Sequence, residues 1–181
     1  MMTDRTPDPL AAIILMGVSG SGKSTVAAAL AQRTGLTCAD ADSFHPAANI
    51  ARMSAGIPLT DDDRWPWLRA IAAAIDSHAS HAAAPLIIAC SALKRTYRDI
   101  LVHGRSDVRI VYLKGTRELI ASRLAARHDH FMPPSLLDSQ FAALEEPGPD
   151  EPVITIAVDA NVDTIVAAII DDLGLPARAP S

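Results

Sequence analysis

Eight consecutive residues, Gly17-Val18-Ser19-Gly20-Ser21-Gly22-Lys23-Ser24, fit the pattern G-x-x-x-x-G-K-[ST] at every fixed position. Glycines at this spacing let successive backbone N–H groups point at phosphate oxygens with no Cβ in the way. Lys23 has the reach and charge for β- and γ-phosphates. The hydroxyl of Ser24, next to Thr25, suits a Mg²⁺ ligand. A second group follows, Asp40-Ala41-Asp42-Ser43-Phe44-His45-Pro46, with two carboxylates two residues apart. If both lie at a strand end they point to the same side. One, Asp40, suits a Mg²⁺-bound water, and the other, Asp42, suits a proton leaving an attacking hydroxyl. Phosphoryl transfer needs positioning, charge neutralisation and a nucleophile whose proton is managed.

Further basic groups recur at helical spacing. Lys94 and Arg98 are four apart and suit an anionic co-substrate such as a carboxylate. Arg123 and Arg127, again four apart, lead into His128-Asp129-His130-Phe131-Met132-Pro133-Pro134. An arginine-bearing flap of this kind closes over a transferring phosphate. His128 and His130 have no third partner at metal-ligand spacing. Trp65 and Trp67 read as core packing, and Asp61–Asp63 as acids serving a helix terminus.

These groups need elements to hold them. Apolar runs Ala11–Met16, Leu36–Ala41, Leu86–Cys90, Val108–Leu113 and Val153–Val158 read as strands. Helical patterns fall between them: Ser24–Arg33, Pro46–Ala55, Thr60 to about Ala83, Leu93–Val102, Thr116–Arg127, Ser135–Leu144 and Val162–Leu173. Gly35 and His103-Gly104 mark stops, and Thr60-Asp61-Asp62-Asp63 marks a start. Alternation of this kind predicts an α/β fold, a three-layer parallel sheet of about five strands with helices on both faces. Ligands in such sheets bind at the carboxyl ends of the strands, where the chemistry-bearing residues fall. The domain reading is a tail over 1–10, one kinase-like domain over 11–175 with a substrate-binding helical excursion at about 44–84 and a lid at about 123–140, and a tail over 176–181.

The 181 residues carry a net charge of −5, which argues against nucleic acid as the main partner. Hydrophobic residues make up 49% of the chain, enough for a packed core, yet no run is suited to spanning a bilayer. The acid- and proline-bearing start lacks the apolar core of a signal peptide, so a cytoplasmic location is expected. Cys38 and Cys90 both fall in strand runs and are expected as reduced core thiols.

Taken in order, the motifs resemble the gluconate kinases of the small P-loop type, over about Ala12 to Leu173. The resemblance rests on the glycine-rich loop and on Asp40-x-Asp42-x-x-His45-Pro46-x-x-Asn49-Ile50. It continues through Gly56-x-Pro58-Leu59-x-Asp61-Asp62-Asp63-Arg64-x-Pro66-Trp67-Leu68 and Cys90-Ser91-Ala92-Leu93-Lys94-x-x-Tyr97-Arg98-Asp99. Its last marks are Tyr112-Leu113-Lys114-Gly115, Ser122-Arg123-Leu124-x-x-Arg127-x-x-His130-Phe131 and Ser139-Gln140-Phe141-x-x-Leu144-Glu145-x-Pro147. It implies ATP- and Mg²⁺-dependent phosphorylation of D-gluconate to 6-phospho-D-gluconate, a nucleoside-monophosphate-kinase-like fold with a lid, and a homodimer. It places Asp42 near the sugar hydroxyl, and His45, Asn49, Arg52, Lys94, Arg98, His130 and Gln140 on the substrate side. Arg123 and Arg127 fall to the lid, and with Lys23 and Asp42 make up the expected catalytic set. Arg123 is also expected at the nucleotide. The lid, Asp129 to Pro134, is proline-rich for this family. The alternative is another small-molecule kinase. A shikimate kinase would show a Gly-Gly substrate loop, absent here, and a nucleobase pocket would want more than 4% aromatics. A GTP-dependent switch would need Asn-Lys-x-Asp, and the chain has no Asn-Lys pair.

Overall fold

The computed structural model describes residues 9–127 and 134–178. Among them, five strands form one parallel sheet: β1 (Ala12–Met16), β2 (Cys38–Asp40), β3 (Leu86–Ala89), β4 (Val108–Lys114) and β5 (Val153–Ala157), in the order β2-β3-β1-β4-β5. Seven helices connect them: α1 (Lys23–Thr34), α2 (Ala47–Ser54), α3 (Asp61–His81), α4 (Arg95–Val102), α5 (Arg117–Ala125), α6 (Pro134–Ala143) and α7 (Val162–Leu173). A 3₁₀ turn, Ala41–Phe44, joins β2 to the segment before α2.

The two faces of the sheet follow from the alternation of side chains along a strand. Ala12, Ile14 and Met16 on β1 point into one core, where Trp67, Leu68, Ile71 and Ile75 of α3 and Tyr97 and Leu101 of α4 meet them. Ile13 and Leu15 point into the other, against Val26 and Leu30 of α1 and Ile165, Val166 and Ile169 of α7. β1 is central, pairing with β3 from Ala12↔Leu86 to Leu15↔Ala89 and with β4 from Ala12↔Val108 to Met16↔Tyr112. Both neighbours are themselves covered, which explains why β3 is apolar throughout and β4 is so apart from Arg109 and the terminal Lys114.

The edges differ from expectation. β2 is three residues long with both end residues exposed, and β5 is only partly covered. Cys38 is therefore an exposed thiol rather than a core one, whereas Cys90 is buried and its thiol is pushed up to about 12 by desolvation. α3 also departs from the expected excursion. Its buried stripe packs on the sheet together with Ala41 and Phe44 of the 3₁₀ turn, whereas no residue of α2 belongs to either core.

Local chemistry sets the helix ends. Thr60 Oγ1 accepts from Asp63 N at 3.3 Å while Asp63 Oδ2 accepts from Thr60 N at 2.8 Å, a reciprocal capping box that fixes the start of α3. Trp67 Nε1 donates to Ala41 O at 2.7 Å, pinning α3 to the 3₁₀ turn beside the carboxylates. No helix among the described residues is long and apolar enough to cross a membrane.

Candidate active site

The phosphate loop closes the gap between the carboxyl end of β1 and α1. Gly22 precedes α1 with φ 93°, a left-handed geometry that costs a side-chain-bearing residue but not glycine. Gly17 is required by close approach: a Cβ there would meet Ser21 Oγ at 2.6 Å and Leu113 O at 3.0 Å. α1 thus starts at the loop with its positive end toward the cleft.

The cleft occupies about 240 Å³ and brings together Ser19, Gly20, Gly22, Lys23, Ser24 and Thr25 with Asp40, Asp42, Trp67, Ser91 and Arg127. These groups come from the loops and helix start that follow β1, β2 and β3, from Trp67 on α3 and from the segment just after α5, at the carboxyl ends of the strands where ligands of a parallel sheet bind. A larger concavity of about 910 Å³ lies at the opposite end of the sheet, around Leu10, Leu36, Pro85 and Gly174, and holds none of these groups. Val18 and Ser21 are buried in the loop itself. Ser21 Oγ has no hydrogen-bond partner among the described residues.

Lys23 Nζ donates to Gly17 O at 2.9 Å and Val18 O at 3.0 Å, folded back across its own loop. Burial lowers its pKa to about 8, opposed by the nearby Cys90, Asp42 and Asp40 and assisted by Arg127. Asp40 caps the 3₁₀ turn, its Oδ1 accepting from Asp42 N at 2.9 Å. The Asp42 side chain is 86% exposed, with His45 Nε2 3.9 Å away. The His45 ring stacks on Trp67 at 4.3 Å, and burial holds its pKa below 6.5. Near neutral pH it is an uncharged neighbour of Asp42.

The structure does not bring all the remaining sequence-derived site residues to the cleft. Arg127 stands in the cleft. Arg123 does not line it: Nη2 donates to the carbonyl of Val158, just beyond β5. Asn49 is buried, donating to Asp63 O at 2.8 Å and facing His45 Nδ1 at 3.3 Å, so it ties α2 to α3. Arg52 pairs with Asp63 Oδ2 at 3.4 Å. Lys94 Nζ donates to both Asp61 oxygens, at 2.9 and 3.1 Å. Gln140 reaches the phosphate loop, its Oε1 accepting from Ser19 N at 3.1 Å. His130 and the rest of 128–133, the heart of the expected lid, lie outside the described residues.

Arg98 is the clear correction. It shares a helix with Lys94 but not a destination. Its side chain is 1% exposed and four of its five N–H groups are engaged: Nε and Nη2 donate to Glu151 at 2.7 and 2.9 Å, and Nη1 to Ala92 O and Leu93 O at 3.1 and 3.2 Å. It fastens α4 and the β3–α4 turn to the loop before β5, and the one remaining N–H is buried with the rest of the side chain. An Arg98→Met variant should lose about 3–5 kcal/mol of stability, because Glu151 is left buried and unpaired. Urea unfolding measures this, while the folded variant keeps its substrate KM within about twofold. The Arg98 pair holds the Glu151 carboxyl below its ordinary 4.5. Its stabilising effect is therefore fully present above pH 4.5 and fades as acid passes through the lowered folded value.

Reading the residues after each strand could have found Ser91. It directly follows the short turn out of β3, lines the cleft, and its carbonyl accepts from Gly17 N at 3.3 Å. Trp67, read from sequence as core, is both core and cleft wall.

A glycine-rich loop at the β1–α1 junction of a parallel α/β sheet, sharing a cleft with two carboxylates at the end of β2, two strands away, defines a P-loop nucleotide-binding protein of the small-kinase build. Comparisons agree. A family model described as an AAA domain matches residues 13–147. The thermoresistant gluconokinase of Escherichia coli (strain K12) is 44% identical over 159 residues, 87% of this chain and 90% of that protein. Among solved structures, a sugar kinase from Janibacter sp. HTCC2649, unliganded, superposes with a TM-score of 0.83 at 47% identity, covering 92% of this chain and 96% of that one. A gluconokinase from Sinorhizobium meliloti 1021 superposes with a TM-score of 0.78 at 39% identity, covering 92% and 97%. The chain belongs to the gluconokinase family.

Proposed function

We propose that this protein transfers the γ-phosphoryl group of ATP to the terminal hydroxyl of D-gluconate, giving 6-phospho-D-gluconate and ADP. The observation that carries this reading is the shared cleft. Phosphate-loop amides, Lys23 and Ser24 stand on one side of it and Asp42 on the other, with Arg127 beside them. Amides of the loop and the start of α1 hold the polyphosphate. Lys23 leaves its two carbonyl contacts to meet the β- and γ-oxygens, where charge is concentrated in the transition state. Asp42 accepts the proton of the attacking primary hydroxyl. Arg127 supplies a second positive charge at the transferring group.

The residues present fit a magnesium ion. Ser24 Oγ and the Asp40 carboxylate are hard oxygen donors in the same cleft. Among the described residues there is no group of three His, Cys, Asp or Glu that would form a complete protein cage. Magnesium is commonly held in this way, by one or two protein oxygens with phosphates and waters completing the shell. When bound, it neutralises charge on the β- and γ-phosphates. On this reading Arg123, which donates to the carbonyl after β5, serves the adenine side of the nucleotide rather than the transferring phosphate. A homodimer, implied by the resemblance, and a cytoplasmic location, expected from the composition of the first residues, belong to the same reading.

The test is turnover. The protein, ATP and Mg²⁺ are offered a panel of sugar acids, shikimate and nucleoside monophosphates, with ADP release coupled to an optical signal. Gluconate-dependent release is expected. ATP binding without any acceptor-dependent release would overturn the reading. Lys23 adds a pH signature. With its pKa near 8 in the free protein it is charged below that pH and neutral above it. ATP affinity should therefore hold up to about pH 8 and fall toward tenfold per pH unit beyond, with proton uptake on binding. Fluorescent-nucleotide titrations from about pH 7 to 9.5 read this directly.

A further inference from the structure

Arg64 stands in the first turns of α3, and neither its spacing nor the motif assigns it a role. Its Nη1 lies 3.5 Å from Asp61 Oδ1 and 3.4 Å from the Tyr97 hydroxyl. Its guanidinium carbon is 5.9 Å from the Tyr97 ring centroid. These contacts hold the group but engage one nitrogen. Among the described residues, Nη2 and Nε make no hydrogen bond. Asp61 is already matched: Lys94 donates to both of its oxygens, and the Tyr97 hydroxyl donates to Oδ1. Two cations therefore share one carboxylate, and the Arg64 charge is the surplus. The Arg64 side chain remains 32% exposed, open to a ligand.

Its position is as telling as its charge. Arg64 is three residues before Trp67 on the same helix, a rise of about 4.5 Å. Trp67 lines the phosphate-loop cleft. His45 stacks on Trp67 and lies 3.9 Å from Asp42. A path thus leads from Asp42 across His45 and Trp67 to an arginine whose fork is unengaged. Arg64 is also close enough to His45 for its charge to help lower that ring's pKa.

We propose that Arg64 binds the acid group of the sugar-acid substrate through Nη2 and Nε, with Asp61 and Tyr97 as its positioning residues. This rests on the gluconate reading and deepens it. A planar guanidinium matches a carboxylate bidentately, which a lysine ammonium does not. An anchor at the acid end and Asp42 at the other end fix the direction in which the polyol lies. The terminal hydroxyl is then the one brought to the phosphate. Substrates of the class are open-chain six-carbon acids, and a polyol without the acid lacks the anchor.

The experiment compares D-gluconate with D-gluconamide, its neutral amide, using wild-type protein, Arg64→Met and Arg64→Lys, with kcat and KM measured separately. Wild type should strongly prefer the acid. Arg64→Met should raise the gluconate KM about 10- to 100-fold, the effect expected for hydrogen bonds to a charged group, with a smaller change in kcat, so that the acid-over-amide preference collapses. Arg64→Lys should recover part of it, through charge without the fork. Thermal melting checks that each variant is folded, and if Arg64→Met is not, a fall of at least about fivefold in the preference of Arg64→Lys carries the test. A variant that keeps the wild-type preference, or loses both substrates in proportion, overturns the assignment of Arg64. Wild-type protein that turns over neither compound overturns the gluconate reading itself, which separates the two failures.

Discussion

Replacing Lys23 by alanine should lower kcat by about 10²–10³-fold or more, the scale seen when one preorganised group facing developing charge is removed. The expectation rests on where the ammonium starts. It is held 2.9 and 3.0 Å from the carbonyls of Gly17 and Val18, inside the loop, with a short move to the phosphates. Partial burial raises the worth of its charge, because little water screens it. The fold should not suffer, since the β1–α1 turn is set by Gly17 and Gly22, and removing a partly desolvated amine from water-poor surroundings carries little stability cost. Stopped turnover assays with saturating ATP and gluconate measure the effect, with melting temperature as the control. A variant within about tenfold of wild type would mean that the loop binds nucleotide without acting on the transferring group.

The second large effect concerns Asp42. Asp42→Asn should lower kcat by about 10²–10⁴-fold, the range for a lost general base, while the KM for ATP changes less than about threefold. The carboxylate is exposed and lies in the cleft with Lys23, with the ring of His45 3.9 Å away. Nothing in that setting binds nucleotide through Asp42. Asp40 differs, because its Oδ1 is already used to cap the 3₁₀ turn. Asp40→Asn should therefore act on metal dependence more than on the proton. Measuring kcat against Mg²⁺ concentration for both variants separates the roles. Loss of kcat and ATP affinity in equal measure for Asp42→Asn would reassign it to the metal.

The parts of the site that are legible in the sequence are the local ones. The phosphate loop is a contiguous signal, and its strand and helix sit on either side of it. The helix start at Thr60 and the core packing of Trp67 are also local, and each appears where the pattern placed it. What the sequence does not reveal is what long-range pairing decides. Nothing near Arg98 announces Glu151, 53 residues away, so a fixed structural ion pair reads as a substrate contact. Arg123 finds its carbonyl 35 residues on, and Gln140 finds the amide of Ser19 across 121 residues. Cys38 looks buried because its strand is apolar, but strand order, not composition, puts β2 at an edge. The cluster of Asp61, Arg64, Lys94 and Tyr97 joins two helices 33 residues apart, so neither segment alone shows that Arg64 is left with an unengaged fork.

Phosphorus NMR of a completed reaction tests the central claim most directly. The protein is mixed with ATP, Mg²⁺ and D-gluconate, and the products are followed without any coupling enzyme. The account predicts that the ATP signals give way to ADP and to one phosphomonoester, split into a triplet by the pair of protons on the adjoining carbon, which places the phosphate on the primary position. A doublet from a secondary carbon, inorganic phosphate alone, or unchanged ATP would contradict it.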